Sequence, residues 1–161
     1  MVDDLAARLE RAEAAASWYE AAGAARRLIE QYASACDRND VAAAVVLFAP
    51  DGVLITPVEQ FTGRPAIDGF FRPRLDRPTR HMVVVTDMVS SGPGELEARS
   101  EFVAFAGGAT PEVTWGTYRD NIRIRDGRAE FARRTIGVDG VADPAAATEQ
   151  MLGRTGDRAH R

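Results

Sequence analysis

The fold is decided by the stretch Arg119-Asp-Asn-Ile-Arg-Ile-Arg-Asp-Gly-Arg-Ala-Glu-Phe-Ala-Arg-Arg-Thr-Ile-Gly-Val-Asp139. Two runs of alternating and β-branched residues flank the dipeptide Asp126-Gly127. This dipeptide favours a type I′ turn, because both central residues of such a turn adopt a positive φ. The stretch therefore predicts a long antiparallel hairpin, which segment 113–118 extends upstream. A long hairpin alone is unstable in water, so other elements must cover one of its faces.

Size and charge restrict the class of protein. The chain has 161 residues, of which 45% are hydrophobic and 27% charged, and this suits one globular domain. A formal net charge of -4 argues against a broad basic surface for nucleic acid. No apolar run approaches the roughly 18 residues that span a bilayer, and no signal peptide is recognisable. We therefore expect a cytoplasmic protein that binds neither nucleic acid nor membrane.

Cysteine and lysine usage excludes several kinds of chemistry. Cys36 is the single cysteine, so the chain can form neither an internal disulfide nor a cysteine zinc cage. All 20 of the Lys+Arg residues are arginine, which excludes a lysine Schiff base or a lysine general base. The sequence also lacks metal-ligand spacing, a glycine-rich phosphate loop and a Gly-x-Ser-x-Gly elbow. We expect a site that works without a metal or cofactor.

The first helix is predicted by apolar residues that recur every three or four positions. They are Leu5, Leu9, Ala12, Ala16 and Tyr19. We interpret this stripe as a helix lying on its own domain, with a dimer contact as the alternative.

Further helices follow in the N-terminal half. Gly23 weakens the first helix, and a second helix should then run to Cys36 and loosen over 37–39. Asp40 suits the N-cap of a third helix over 41–48, and Pro65 suits the first turn of a short helix that carries Phe70 and Phe71.

Strands occupy the C-terminal half, where the apolar period changes to two. Segment 80–89 predicts a strand with one face made of His81, Val83, Val85, Asp87 and Val89. Segment 95–106 predicts the next strand, and the long hairpin follows it. Segment 143–161 predicts a short helix and a frayed tail. Helices followed by antiparallel strands are typical of an α+β fold.

Several motifs occur together in a characteristic order. They are Tyr32-x-x-x-x-Asp37-x-x-Asp40, Phe48, Asp51-Gly52, Gly63-Arg64, Arg80-His81, Trp115-Gly-Thr-Tyr118, Asp126-Gly127 and Arg134 with Asp139. In this order and spacing, the sequence resembles the SnoaL-like branch of the NTF2-like superfamily. The resemblance implies a cone-shaped α+β barrel, in which a curved antiparallel sheet wraps around helices and encloses a deep apolar pocket. It also implies a homodimer or higher homo-oligomer. We divide the chain into a helical extension, 1–22, the SnoaL-like domain, 23–142, and a C-terminal segment, 143–161.

The superfamily contains dehydratases, isomerases, epoxide hydrolases, polyketide cyclases and binding modules, so fold alone does not settle function. In chemical residues, the sequence is most similar to the scytalone dehydratase and bile-acid 7α-dehydratase type. That resemblance implies catalytic roles for Tyr32, Asp37 and His81. Such enzymes carry a further His or Asp on the next strand, where this chain has Arg99, Ser100 and Glu101.

Elimination of water beside a carbonyl needs a base for the carbon-bound proton and an acid for the departing hydroxyl. One imidazole, whose ordinary pKa is about 6.5, can serve as both in turn. Asp37 is the candidate to orient His81, and a phenol such as Tyr32 or Tyr118 can donate to the developing enolate. Positions 32 and 37 lie about 140° apart around a helix, so we expect Asp37 to sit where the helix loosens.

The expected pocket lining is aromatic and aliphatic. It comprises Leu28, Phe48, Leu54, Phe61, Phe70, Phe71, Val83 and Phe102, with Tyr118, Trp115 and Arg134 as further contacts to a hydrophobic small-molecule substrate.

Structural roles for the candidate site residues, and other functions for the protein, stay open. His81 and Asp37 can be structural, and one residue of the pair Arg133-Arg134 can serve to neutralise a carboxylate such as Asp139. The functional alternatives are a natural-product cyclase, a module that binds hydrophobic ligands without catalysis, and an epoxide hydrolase. The last would use Arg99 and Glu101, which share a strand face.

Overall fold

A computed structural model describes residues 2–144 of the chain. It has three helices and six strands in an α+β arrangement, as predicted. The helices are α1 (Val2–Asp37), α2 (Val41–Val46) and α3 (Arg64–Phe71), and the strands are β1 (Phe48–Ile55), β2 (Gln60–Thr62), β3 (Thr79–Gly92), β4 (Glu95–Ala106), β5 (Glu112–Arg125) and β6 (Arg128–Ala142). The predicted helix that begins after Asp143 falls almost wholly outside the described residues.

The six strands form one curved sheet in the order β2-β1-β6-β5-β4-β3. The sheet is open, with β2 and β3 at its edges, so the barrel implied by the resemblance is not closed. One pairing also departs from the expected antiparallel pattern, because β1 runs parallel to β6. The concave face of the sheet packs against the C-terminal part of α1.

The long hairpin is β5 and β6, and the turn prediction is confirmed. Asp126 has φ 51° and Gly127 has φ 72°, the two positive values that a type I′ turn requires. Farther along the hairpin, Gly116 allows a close approach of the two strands. A Cβ atom there would lie 1.9 Å from the carbonyl oxygen of Gly137, so no larger residue fits without a backbone shift.

Helix α1 is continuous over 36 residues, so the predicted interruption at Gly23 is wrong. Packing of the helix on the sheet overrides the modest intrinsic cost of one glycine. From Ala24 onward, one face of α1 is buried by the sheet. The stripe that begins at Leu5 is instead exposed to solvent and does not lie on the chain's own domain.

The shorter helices start as predicted. The Asp40 side chain accepts a hydrogen bond from the Ala43 backbone N–H at 3.0 Å and caps α2, which ends earlier than expected, at Val46. Gly63, with φ 78°, turns the chain into α3, and Pro65 occupies its first turn. Phe71 at the end of α3 is buried in the core.

Strand β3 contains a bulge between Val85 and Asp87. His81, Val83 and Val85 face the concave side, as predicted, but Asp87 and Val89 are exposed. Their predicted placement on the same face is wrong because the extra residue reverses the alternation beyond it.

Candidate active site

His81 and Asp37 meet where the end of α1 approaches the edge strand β3. The Nδ1 atom of His81 lies 2.7 Å from Asp37 Oδ1, and the backbone N–H of His81 donates to the same oxygen at 2.9 Å. The two side chains are 12% and 10% exposed, so they lie just beneath the surface. The structure thus brings together two residues that are 44 positions apart in sequence.

The position of Asp37 follows from where α1 ends. Asp37 is its last residue, and Asn39 turns the chain with a positive φ of 55°. Tyr32, five residues earlier, points into the core instead. The expected separation of about 140° around the helix is therefore kept, and the two side chains leave α1 in different directions.

The hydrogen bond to Asp37 assigns different roles to the two ring nitrogens of His81. An ionised carboxylate only accepts, so Nδ1 of His81 must carry the proton that it shares with Asp37. Nε2 of the neutral ring is then left as a free base. Arg80 adds a cation at the rim, with its Nη1 atom 3.5 Å from Asp37 Oδ2.

A second polar pair lies in the centre of the protein. Arg134 Nε and Nη2 contact Asp120 Oδ1 and Oδ2 at 2.8 and 2.7 Å, and both side chains are 0% exposed. The guanidinium carbon is 4.1, 4.3 and 4.0 Å from the ring centres of Tyr32, Tyr118 and Phe131. Arg134 Nη1 has no hydrogen-bond partner in the structure. As expected for the pair Arg133-Arg134, one arginine is exposed and the other pairs with a carboxylate, but that carboxylate is Asp120 and not Asp139, which is exposed.

Burial raises the pKa of both phenols, Tyr32 and Tyr118, while the charge of Arg134 opposes the shift in each. Burial also raises the pKa of the Cys36 thiol to about 12. Burial alone would lower the pKa of the Arg134 guanidinium, but Asp120 more than offsets this, so that pKa is raised. The phenols therefore stay protonated at neutral pH and can act as hydrogen-bond donors.

Most of the predicted pocket lining belongs to the hydrophobic core. Phe48, Phe71 and Phe102 are buried, and Phe70 and Val83 are partly buried against them. The ring of Phe102 stacks on Tyr118 at 4.3 Å with an interplanar angle of 10°.

Trp115 lies on the opposite face of the sheet from Tyr118, so the structure does not bring together these two predicted substrate contacts. It is 41% exposed and covers Gly140 on the convex side of the sheet. Buried residues of β5 occupy positions 116, 118, 120 and 122, so an odd-numbered residue points outward. Arg99 and Glu101 are exposed on β4 by the same alternation, which gives no support to the epoxide hydrolase alternative.

Sequence reasoning missed two buried polar residues, Asp120 and Ser100. Ser100 is 0% exposed, and its hydroxyl has no hydrogen-bond partner in the structure. Both residues share the inward parity of Tyr118 and Phe102 on their strands. Because residues two apart on a strand face the same side, this spacing predicts that both polar side chains point into the interior.

Within residues 2–144, no group of three or more His, Cys, Asp or Glu side chains is placed to hold a metal ion. The same part of the chain has no helix that is long and apolar enough to cross a membrane.

A curved sheet wrapped around a long N-terminal helix has the architecture of the NTF2-like class. The SnoaL-like domain model matches residues 19–135, and the chain belongs to this family. Sequence comparison with curated proteins finds no significant match.

Several solved structures of other proteins have the same fold as this chain. A proposed scytalone dehydratase from Novosphingobium aromaticivorans is 22% identical, with a TM-score of 0.69 over 74% of this chain and 85% of that one. A ketosteroid isomerase-like protein from Erwinia carotovora atroseptica is 14% identical, with a TM-score of 0.66 over 73% and 95%. A type 2 hexachlorocyclohexane dehydrochlorinase is 13% identical, with a TM-score of 0.68 over 84% and 91%. At these identities the likeness establishes the fold.

Proposed function

We propose that this protein is a cofactor-independent lyase or isomerase of the dehydratase type that acts on a hydrophobic hydroxy-carbonyl compound. The observation that carries the proposal is the 2.7 Å contact between His81 Nδ1 and Asp37 Oδ1. A carboxylate on Nδ1 leaves Nε2 as a base and stabilises the imidazolium that forms when Nε2 takes a proton. The names of the structural neighbours, a dehydratase, an isomerase-like protein and a dehydrochlorinase, are consistent with proton-transfer chemistry of this kind.

In the proposed elimination, His81 Nε2 takes the proton from the carbon beside the carbonyl. The electron pair of the broken C–H bond moves toward the carbonyl oxygen and forms an enolate. The imidazolium then gives its proton to the departing hydroxyl, which leaves as water while the enolate electrons form the new carbon–carbon double bond. Overall, the substrate loses one water molecule, and the imidazole of His81 returns to its neutral form. In an isomerisation, the same proton would return to a different carbon.

The buried phenols are the candidate donors to the enolate oxygen. Tyr118 stacks on Phe102, and its pKa is raised by burial and also by the negative charge of Asp37, so its hydroxyl remains a donor. Tyr32 shares this environment. Arg134 is sealed in the core against the rings of both phenols, so its proposed role is to hold them in place. The surrounding aromatic side chains favour an apolar substrate body.

Replacement of His81 by asparagine separates catalysis from structure. The amide nitrogen of Asn can take the place of Nδ1 and donate to Asp37, but it provides nothing in place of Nε2. We expect His81→Asn to fold normally and to lower the rate of water loss by about 10²–10⁴-fold. Turnover of a panel of hydrophobic hydroxy-ketones can be followed by the absorbance of the conjugated enone and by the mass loss of water.

The same substitution at the other histidine, His160→Asn, is the matched control and should leave turnover unchanged. If His81→Asn turns over substrate as fast as the unmodified protein, the acid–base proposal is wrong and a cyclase without imidazole chemistry is favoured. If the folded protein converts no member of a broad panel but binds some of them, a module that binds hydrophobic ligands is the better description.

A further inference from the structure

An apolar stripe runs along the N-terminal part of α1 on the side away from the domain. Leu5 is 66% exposed, Leu9 58% and Tyr19 73%. On the other side of the same helix, Trp18 and Ala21 line a cleft against the turn between β3 and β4. The stripe is therefore not a poorly packed core face, because the helix already has a separate face for its own domain.

The spacing of the stripe is typical of the contact line between two paired helices. We call the residues Leu5, Leu9, Ala12, Ala16 and Tyr19 the seam. Its members follow one another at intervals of four, three, four and three residues, which is the pattern of the two core positions of a heptad. Ala12 and Ala16 in the middle are small and permit a close approach of two helices. Gly23 continues the seam, and Arg26 and Glu30 beyond it are exposed as well. The domain therefore does not obstruct a partner helix lying alongside α1.

The charges beside the seam indicate which partner fits. Arg8 precedes the core residue Leu9, and Glu13 follows the core residue Ala12, so the two flank the seam on opposite sides. In a parallel pair of identical helices, a flanking residue in the position of Arg8 contacts the residue five positions later on the partner. Arg8 of one copy then faces Glu13 of the other, and the two-fold axis generates the pair twice. An antiparallel pair would not bring these residues together in this way.

We propose that a second copy of this chain binds along this seam, with the two α1 helices parallel and in register from Leu5 to Tyr19. The paired segment is about 21 Å long at 1.5 Å per residue. Two heptads are fewer than a stable isolated coiled coil needs, so the dimer is reversible and concentration-dependent. The proposal concerns the helix outside the Asp–His site and does not depend on the reaction proposed above.

Sedimentation velocity of the full chain over a range of concentrations tests the pairing. Arg8→Glu and Glu13→Arg each replace two attractive contacts in the dimer by two repulsive ones, and each should raise the dimer Kd by roughly tenfold. The double variant Arg8→Glu/Glu13→Arg restores opposite charges and should return the Kd to within about twofold of the unmodified value. Arg11→Glu makes the same charge change off the seam and is the matched control, with no expected effect on the Kd.

Leu9→Asp places a charge in the seam and should leave the protein monomeric at every concentration tested. Circular dichroism checks that α1 remains helical in this variant. The double variant Arg8→Glu/Glu13→Arg provides a second test that does not depend on the folding of Leu9→Asp. A protein that is monomeric throughout overturns the proposal. So does a dimer that withstands Leu9→Asp, or one that the double charge exchange fails to restore, because each places self-association on another surface.

Discussion

The buried pair Asp120–Arg134 predicts a large loss of stability from a substitution that removes almost no volume. Asp120→Asn keeps the shape of the side chain but removes the charge that faces the guanidinium. Both side chains are 0% exposed, so no water can replace the lost carboxylate without opening the core. Breaking a buried ion pair by removing one partner costs about 3–5 kcal/mol. For a domain of this size, at about 2–4 °C per kcal/mol, that corresponds to a fall in melting temperature of about 6–20 °C.

A second arginine–aspartate pair provides the matched control. Asp51 contacts Arg123 at 2.7 Å, with the same residue types and a similar distance, but the Asp51 side chain is 67% exposed. Water screens such a pair, so Asp51→Asn should leave the stability close to that of the unmodified protein. The free energy of unfolding of each variant can be taken from urea denaturation by linear extrapolation.

The double variant Asp120→Asn/Arg134→Met tests why Asp120→Asn lowers the stability. If the cost comes from an uncompensated buried cation, removal of that cation should recover much of the lost stability. Equal effects of Asp120→Asn and Asp51→Asn would refute the reasoning, because burial would then make no difference. A double variant less stable than Asp120→Asn would also count against it, since the stack of Arg134 between aromatic rings would then be the main contribution.

Two further results are expected. Long-range ¹H–¹⁵N spectra of the folded protein should show neutral His81 with its proton on Nδ1, and Asp37→Ala, which removes the acceptor, should abolish that preference; a ring protonated on Nε2 in the unmodified protein would contradict the assigned hydrogen bond. Because burial raises the pKa of Cys36 to about 12, iodoacetamide should alkylate this thiol far more slowly in the folded protein at about pH 8 than in guanidinium. Labelling at equal rates in the two conditions would show that the thiol is accessible.

The hairpin was predictable because its signal is local. Asp126-Gly127 fixes the turn by backbone sterics alone, and the positive φ values of both residues follow from that. The Asp40 cap of α2 is local in the same sense. The continuity of α1 through Gly23 was not predictable in this way, since tertiary packing supplies the free energy that stabilises the helix there.

The partner of Arg134 could not be predicted, because a bulge sets the register. Counting back from the turn, where Arg125 pairs with Arg128, places Asp120 opposite Arg133. The register shift between Asn121 and Ile122 moves Asp120 opposite Arg134 instead. One extra residue in β6 thus decides which arginine enters the core, and the sequence carries no clear mark of that bulge.

Strand alternation predicts the face of Trp115. Trp115 and Tyr118 are three residues apart on one strand, so alternation places them on opposite faces. Because β5 itself alternates regularly through this region, the buried Tyr118 leaves Trp115 outside. The Asp37–His81 contact is different in kind. It joins the end of a helix to a distant strand, and only the resemblance to a known family suggested it.

The pairs Asp37–His81 and Asp120–Arg134 differ in how deeply they are buried. Asp37 and His81 lie just beneath the surface, whereas Asp120 and Arg134 are sealed in the core and hold a fixed charge. Tyr118 lies between the two pairs: burial is the main cause of the raised pKa of its phenol, Arg134 lowers that pKa, and Asp37 adds a smaller increase. The guanidinium also contacts the rings of Tyr118 and Tyr32. The central pair therefore holds the two phenols in place, so that one arginine stabilises the core and fixes the position of the hydrogen-bond donors in the proposed reaction.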